Sequence, residues 1–216
     1  MSAPQALRLE AVSIRLDGRM LIAPLNAVIA PGECLTLMGP SGCGKSTLLN
    51  YLAGTLPTAF EAEGRVSVGD VNLTLLPPER RGVGILFQDD LLFPHLSVGG
   101  NLAFAIPGAV RASRERRARI DAALDECGLA GLADRDPATL SGGQRARVAL
   151  MRTLLALPRV LLLDEPFNTL DTLLRSDFRE FVFGHVRRHG LPTVLVTHDE
   201  ADAQAAGGPV ITLGGA

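Results

Sequence analysis

The chain has 216 residues, 47% of them hydrophobic and 20% charged, and a formal net charge of −2. This size suits one large domain or a domain with an inserted lobe, and the charge provides no basic footprint for nucleic acid or anionic lipid. The three cysteines (Cys34, Cys43, Cys127) are unpatterned and fit free thiols in a reducing compartment; Met1-Ser-Ala-Pro-Gln5 lacks a basic-then-apolar leader, and no apolar run approaches the ~20 residues of a membrane span.

From about Leu7 to Pro31, apolar and polar residues alternate between turn signals at Asp17-Gly18 and Pro31-Gly32, which predicts antiparallel strands. The apolar run from Cys34 to Met38 then leads into Gly39, Pro40, Ser41, Gly42, Cys43, Gly44, Lys45, Ser46 and Thr47, with a helical run after it through Leu49, Tyr51 and Leu52. This is the G-x-x-x-x-G-K-[ST] pattern in its strand–loop–helix setting. Gly42 and Gly44 let the backbone fold tightly and aim successive amides at one anion, and the helix dipole adds positive potential there. Lys45 can reach the β- and γ-phosphates, and the Ser46 hydroxyl is placed to ligate Mg²⁺. A Gly-rich turn with an exposed lysine is the plainer alternative, but the flanking strand and helix favour a bound nucleoside triphosphate.

The stretch from Gly64 to Leu75 looks like more of the same β-rich lobe, and from about Asp89 to Arg152 the pattern turns helical. Arg111 to Glu126 is a charged helix with Ile120, Leu124 and Cys127 on one face; its Arg114, Arg116, Arg117 and Arg119 read as a solvated face rather than an anion site. Leu140-Ser141-Gly142-Gly143-Gln144 opens a helical stretch from Arg145 to Leu157. Ser141 suits the N-cap, and the paired glycines expose backbone amides to an anion. Next comes a buried strand, Val160 to Leu163, ending in Asp164 and Glu165. Carboxylates at the C-terminal edge of a parallel sheet stand where ligands bind, so Asp164 can hold Mg²⁺ and Glu165 can polarise an attacking water. A helix from Leu173 to His189 and strands at Thr193–Thr197 and Val210–Leu213 complete the pattern. The fold class is therefore α/β: a core of mainly parallel sheet, an antiparallel β lobe, and a helical lobe inserted at about 89–152, in one domain over 1–216.

These motifs, in this order, resemble the ATP-binding subunit of an ATP-binding-cassette (ABC) transporter, from about Leu7 to Leu213. The resemblance implies a P-loop NTPase core, ATP and Mg²⁺ as cofactors, and ATP hydrolysis coupled to transport. It makes Gln88 a residue that contacts Mg²⁺ and water and senses a membrane partner. Asp171, in Asn168-Thr-Leu-Asp171, becomes an aspartate at the subunit interface. His198 becomes the histidine that contacts the γ-phosphate and orients Glu165. Ser141, Gly142, Gly143 and Gln144 close over the ATP of a second copy, so a homodimer is expected, with two ATP molecules buried across a two-fold axis.

Phe87 to Val98, with Pro94-His95-Leu96-Ser97-Val98, resembles the importer pattern, in which Leu91, Leu92, Phe93 and Leu96 receive a short permease helix; a loop tucked on the core is the alternative. The whole chain looks most like short ATPases of thiamine-type and related bacterial uptake systems. Expected partners are a transmembrane permease at Leu91–Val98 and a periplasmic or surface solute-binding protein, without nucleic acid, at the cytoplasmic face of the membrane. A separate-subunit exporter or lipid-extraction ATPase, and a soluble non-transport ABC ATPase, stay open. Three departures stand out. No Tyr, Phe or Trp precedes Tyr51, so the aromatic expected near Leu16 to stack on adenine is missing. The chain stops at Ala216, which implies no C-terminal regulatory domain. Gly207-Gly208-Pro209 replaces the usual charged pair before the last strand, without a functional account.

Overall fold

A computed structural model describes residues 4–214; Met1-Ser-Ala, the start of the stretch read above for a leader, and the two C-terminal residues lie outside them. In chain order, β1 (Leu7–Leu16), β2 (Arg19–Ile29) and β3 (Cys34–Met38) lead into α1 (Lys45–Ala53). Then follow β4 (Phe60–Val68), β5 (Val71–Asn72), the single-turn α2 (Pro78–Arg81) and β6 (Val83–Leu86). Three helices come next: α3 (Val98–Ala105), α4 (Ser113–Glu126) and α5 (Gly142–Leu155). The chain closes with β7 (Val160–Asp164), α6 (Thr172–His189), β8 (Thr193–Val196), α7 (Glu200–Ala206) and β9 (Val210–Thr212). Two compact units result. One comprises the chain up to Ile85, Arg159–Glu165 and the chain from Arg179; the other comprises Leu86–Pro158 and Pro166–Phe178.

The first unit holds both sheets. In the antiparallel one, ordered β2-β1-β4-β5, Leu7 and Leu9 are buried while Arg8 and Glu10 face outward, as strict alternation requires. Asp17 and Gly18 both take positive φ between the paired Leu16 and Arg19, the geometry of a two-residue hairpin turn. The other sheet runs β6-β7-β8-β3-β9, with β7, β8, β3 and β9 parallel. Its inner strands are buried on both faces, so Cys34–Leu37 and Val160–Leu163 read as unbroken apolar runs but for Thr36. Leu48, Leu49 and Leu52 of α1 join Leu35, Leu37 and Leu162 in one core. Because β3, β7 and β8 run the same way, the residues following each emerge at one edge. Val196 is opposite Leu37 on one side and Asp164 on the other. That register builds the site.

The Gly207-Gly208-Pro209 departure has a packing reason. A Cβ on Gly208 would collide with the Cys34 carbonyl oxygen, and Pro209 O accepts the Thr36 amide at 2.8 Å. The backbones approach too closely for a side chain.

In the second unit, α3, α4 and α5 pack on one another. The charged helix begins at Ser113 rather than Arg111, and the helix expected over 145–157 spans Gly142–Leu155, with Leu157 beyond it at positive φ. The arginine cluster is also not uniform. Arg117 and Arg119 pair with Asp121 and Glu115 one turn away, on the solvated face. Arg116 turns inward and donates to the carbonyls of Ala103, Ile106 and Val110, tying the loop between α3 and α4. Among the described residues, no helix is long and apolar enough to cross a membrane.

Candidate functional site

The loop between β3 and α1 is built to surround an anion. Gly42 and Gly44 lie at φ 80° and 99°, a region that side chains disfavour. Gly44 is the N-cap of α1 and no side chain caps that helix, so its first-turn amides rely on the loop or on a ligand. Lys45, 8% exposed, extends back along the loop, and its Nζ donates to Gly39 O at 2.7 Å and Pro40 O at 3.0 Å. The cation is thus held against the loop's own carbonyls. Cys43 Sγ lies 4.0 Å from the same Nζ.

Ser46 Oγ donates to Asp164 Oδ1 at 3.4 Å, joining the start of α1 to the end of β7. Burial pushes the Asp164 carboxyl up, and the neighbouring Glu165 charge adds to it; the Ser46 bond and Lys45 pull the other way. A hydroxyl and a carboxylate, hard oxygen donors beside surplus negative charge, suit Mg²⁺, which would supply the missing positive charge. The donor set fits.

Glu165 carries φ 48°, a left-handed backbone for a residue with a side chain, while its amide donates to Val196 O at 3.0 Å. Such strain persists where the surroundings impose it. Glu165 Oε2 stands 3.5 Å from His198 Nδ1, with the imidazole 64% exposed. The first unit therefore gathers Lys45, Ser46, Asp164, Glu165 and His198.

A second group lies within the other unit. Ser141 and Gln144 form a reciprocal capping box at the start of α5: Ser141 Oγ accepts the Gln144 amide at 3.3 Å and Gln144 Oε1 accepts the Ser141 amide at 2.9 Å. A cleft of about 130 Å³ is lined by Gln88, Asp90, Gly142, Arg145, Pro166 and Thr169. Thr169 Oγ1 donates to Gln88 O at 3.4 Å, and Asp171 Oδ1 accepts the Leu174 amide in the first turn of α6.

Sequence reasoning missed what holds the segment after Gln88. Arg145 bridges Asp90 Oδ2 and Leu140 O, both at 2.8 Å. Arg152 donates to Leu91 O and Asp90 O, and its guanidinium lies over the Phe93 ring, 5.4 Å from the centroid. Fully buried Asn101 accepts the Phe93 amide and donates to the carbonyls of Phe93, Leu96 and Ser97. Their spacing, seven residues or two helical turns, places both arginines on one face of α5 but does not say what they hold. Of the apolar residues proposed for docking, Leu91 is exposed, whereas Leu92, Phe93 and Leu96 are half-buried. Phe104, 69% exposed and edge-on to Phe93, extends that patch.

Comparison with known proteins supplies a frame for these groups. Residues 22–168 match the family model described as ABC transporter. An uncharacterized ABC transporter ATP-binding protein of Escherichia coli K12, YnjD, is 49% identical over 194 residues, covering 90% of this chain and 89% of its own length. The spermidine/putrescine import ATP-binding protein PotA of Marinobacter nauticus is 40% identical, covering 96% of this chain and 55% of the relative. The Fe(3+) ions import ATP-binding protein FbpC of Rhizobium etli is 42% identical, covering 89% of this chain and 54% of the relative. The chain thus spans nearly all of the first relative and about half the length of the other two.

Proposed function

Because the chain belongs to the ABC transporter family of ATP-binding proteins, an ATPase family, we propose that it is the ATP-hydrolysing subunit of a bacterial importer for a small solute. One observation carries the chemistry: Glu165, in a strained backbone, faces His198 beside the Ser46–Asp164 pair, all at the edge that bears the phosphate loop. The loop amides and Lys45 bind the triphosphate. Ser46 and Asp164 would hold Mg²⁺, which would supply charge neutralisation for the phosphates. Glu165 accepts a proton from the water that attacks the γ-phosphorus, and ADP and phosphate leave. His198 orients Glu165 and contacts the γ-phosphate.

In this reading two copies pair head to tail, with Ser141–Gln144 of one closing over the triphosphate of the other, and loss of the γ-phosphate lets them part. A permease docks on the apolar patch of Leu91, Phe93 and Phe104, at the cytoplasmic face of the membrane, and a solute-binding protein delivers cargo. The importer direction draws its support from the import relatives and from the loop that Asn101, Arg145 and Arg152 brace.

The test is Leu91→Asp combined with Phe104→Asp. Each apolar contact is worth roughly 1.5–3 kcal/mol, so losing two weakens docking about a hundredfold or more at ~1.4 kcal/mol per tenfold. Pull-down with the cognate permease should fail while ATP hydrolysis by the isolated subunit persists. Wild-type assembly of the double variant would remove the patch from the interface. A wild-type chain that never co-purifies with a membrane protein would overturn the importer reading in favour of a soluble ABC function.

A further inference from the structure

His198 is a mostly exposed side chain whose position relative to Glu165 matters in the reading above, yet the imidazole itself is only lightly packed. The backbone on either side of it is held firmly. Fully buried Thr197 donates through Oγ1 to Asp202 Oδ2 at 2.6 Å, and that hydroxyl oxygen accepts the Asp199 amide at 3.1 Å. Asp199 caps α7 by accepting the Ala201 amide at 2.8 Å. Both carboxylates converge on Arg179 of α6: Nη2 meets Asp199 Oδ2 at 3.1 Å, and Nε meets Asp202 Oδ1 at 2.5 Å. Nη2 also pairs with Asp202 Oδ1. The Asp202 side chain is 1% exposed and that of Arg179 is 15% exposed.

A buried ion pair of this kind adds little net stability over a packed apolar pair, because desolvation of both charges offsets their attraction. What it adds is geometry. The guanidinium fork fixes two carboxylates at once, and through them it fixes the residue before His198 and the residue after it. A lysine cannot reproduce that two-point hold.

We propose that Arg179 is a positioning residue for ATP hydrolysis: through Asp202 and Asp199 it clamps the backbone around His198 so that His198 stays against Glu165. The proposal rests on the assignment of His198 and Glu165 to the hydrolysis step. Arg179 acts here through the two aspartates and Thr197.

Steady-state ATPase kinetics of the full chain test it, with His198→Ala, Arg179→Ala, Arg179→Lys and the double variant Arg179→Ala/His198→Ala. Arg179→Ala should lower kcat roughly 10–100-fold, the cost of a displaced catalytic group, while KM for ATP moves less than about threefold. Arg179→Lys should recover part of the loss. In the His198→Ala background, removing Arg179 should cost less than about twofold more, because there is no imidazole left to position. A wild-type kcat for Arg179→Ala, or an equal loss in both backgrounds, overturns the proposal while leaving the site reading intact. A wild-type kcat for His198→Ala instead overturns the role of His198, and the proposal with it. If Arg179→Ala does not fold, Arg179→Lys and Arg179→Gln complete the same cycle with the same criteria.

Discussion

Ser46 Oγ and Asp164 Oδ1 lie 3.4 Å apart although 118 positions separate them in the chain. The parallel order β7-β8-β3 brings them together, and it leaves Asp164, next to Glu165 in the chain, in a partly buried place. Without a cation, that arrangement costs the folded state something.

Asp164→Asn should therefore melt at a higher temperature than wild type at neutral pH in the presence of EDTA. Burial first, and Glu165 second, raise the Asp164 carboxyl above its ordinary value. The folded chain then binds that proton more tightly than the unfolded chain does, so stability from this group is full below the unfolded value and is lost as pH rises through the raised one. The Tm gap between variant and wild type should narrow as pH falls from neutral toward the ordinary carboxylate range. A gap that widens toward acid would mean that Asp164 stabilises the apo fold as a carboxylate.

Glu165→Gln should keep ATP binding and lose turnover, since removing a general base costs roughly 10²–10⁴-fold in rate. With ATP and Mg²⁺ present, size-exclusion chromatography should show a trapped dimer. Normal turnover, or a variant that stays monomeric with ATP, would take the general-base role away from Glu165.

ATP and GTP should be hydrolysed with kcat/KM values within about fivefold of each other. Stacking of a base on an aromatic ring is worth roughly 1–3 kcal/mol, and no aromatic stands at Leu16 to provide it. Leu16 is half-buried and pairs across the sheet with Phe60, which packs against the core. A strong ATP preference would show that another residue reads the base.

A thiol reagent should block hydrolysis through Cys43 alone, and prior ATP should protect. Burial pushes the thiols of Cys34 and Cys127 up to about 12, leaving them protonated and inert at neutral pH, whereas Cys43 is partly exposed in the phosphate loop. Insensitivity of the wild type, or equal sensitivity of Cys43→Ser, would contradict this.

What the sequence determined by itself was everything carried by contiguous residues. The phosphate loop is a local geometry demanded by Gly42, Gly44 and the helix start. The capping box needs only Ser141 and Gln144 three residues apart, and the buried strand ending at Asp164 announces itself by an unbroken apolar run. Hairpin, strands and helices followed from periodicity, with ends shifted by a few residues because caps and turns, not periodicity, set them. Tertiary structure decided the rest, since those contacts join distant positions. Nothing in the spacing of Arg179, Asp199 and Asp202 foretells a shared guanidinium, nor do Arg145 and Arg152 reveal from α5 that they hold the segment after Gln88. Arg116 shows the limit most plainly. Its neighbours in sequence are solvated charges, whereas its own long, forked side chain reaches the carbonyls of Ala103, Ile106 and Val110, in and just after α3, and turns inward to donate to them.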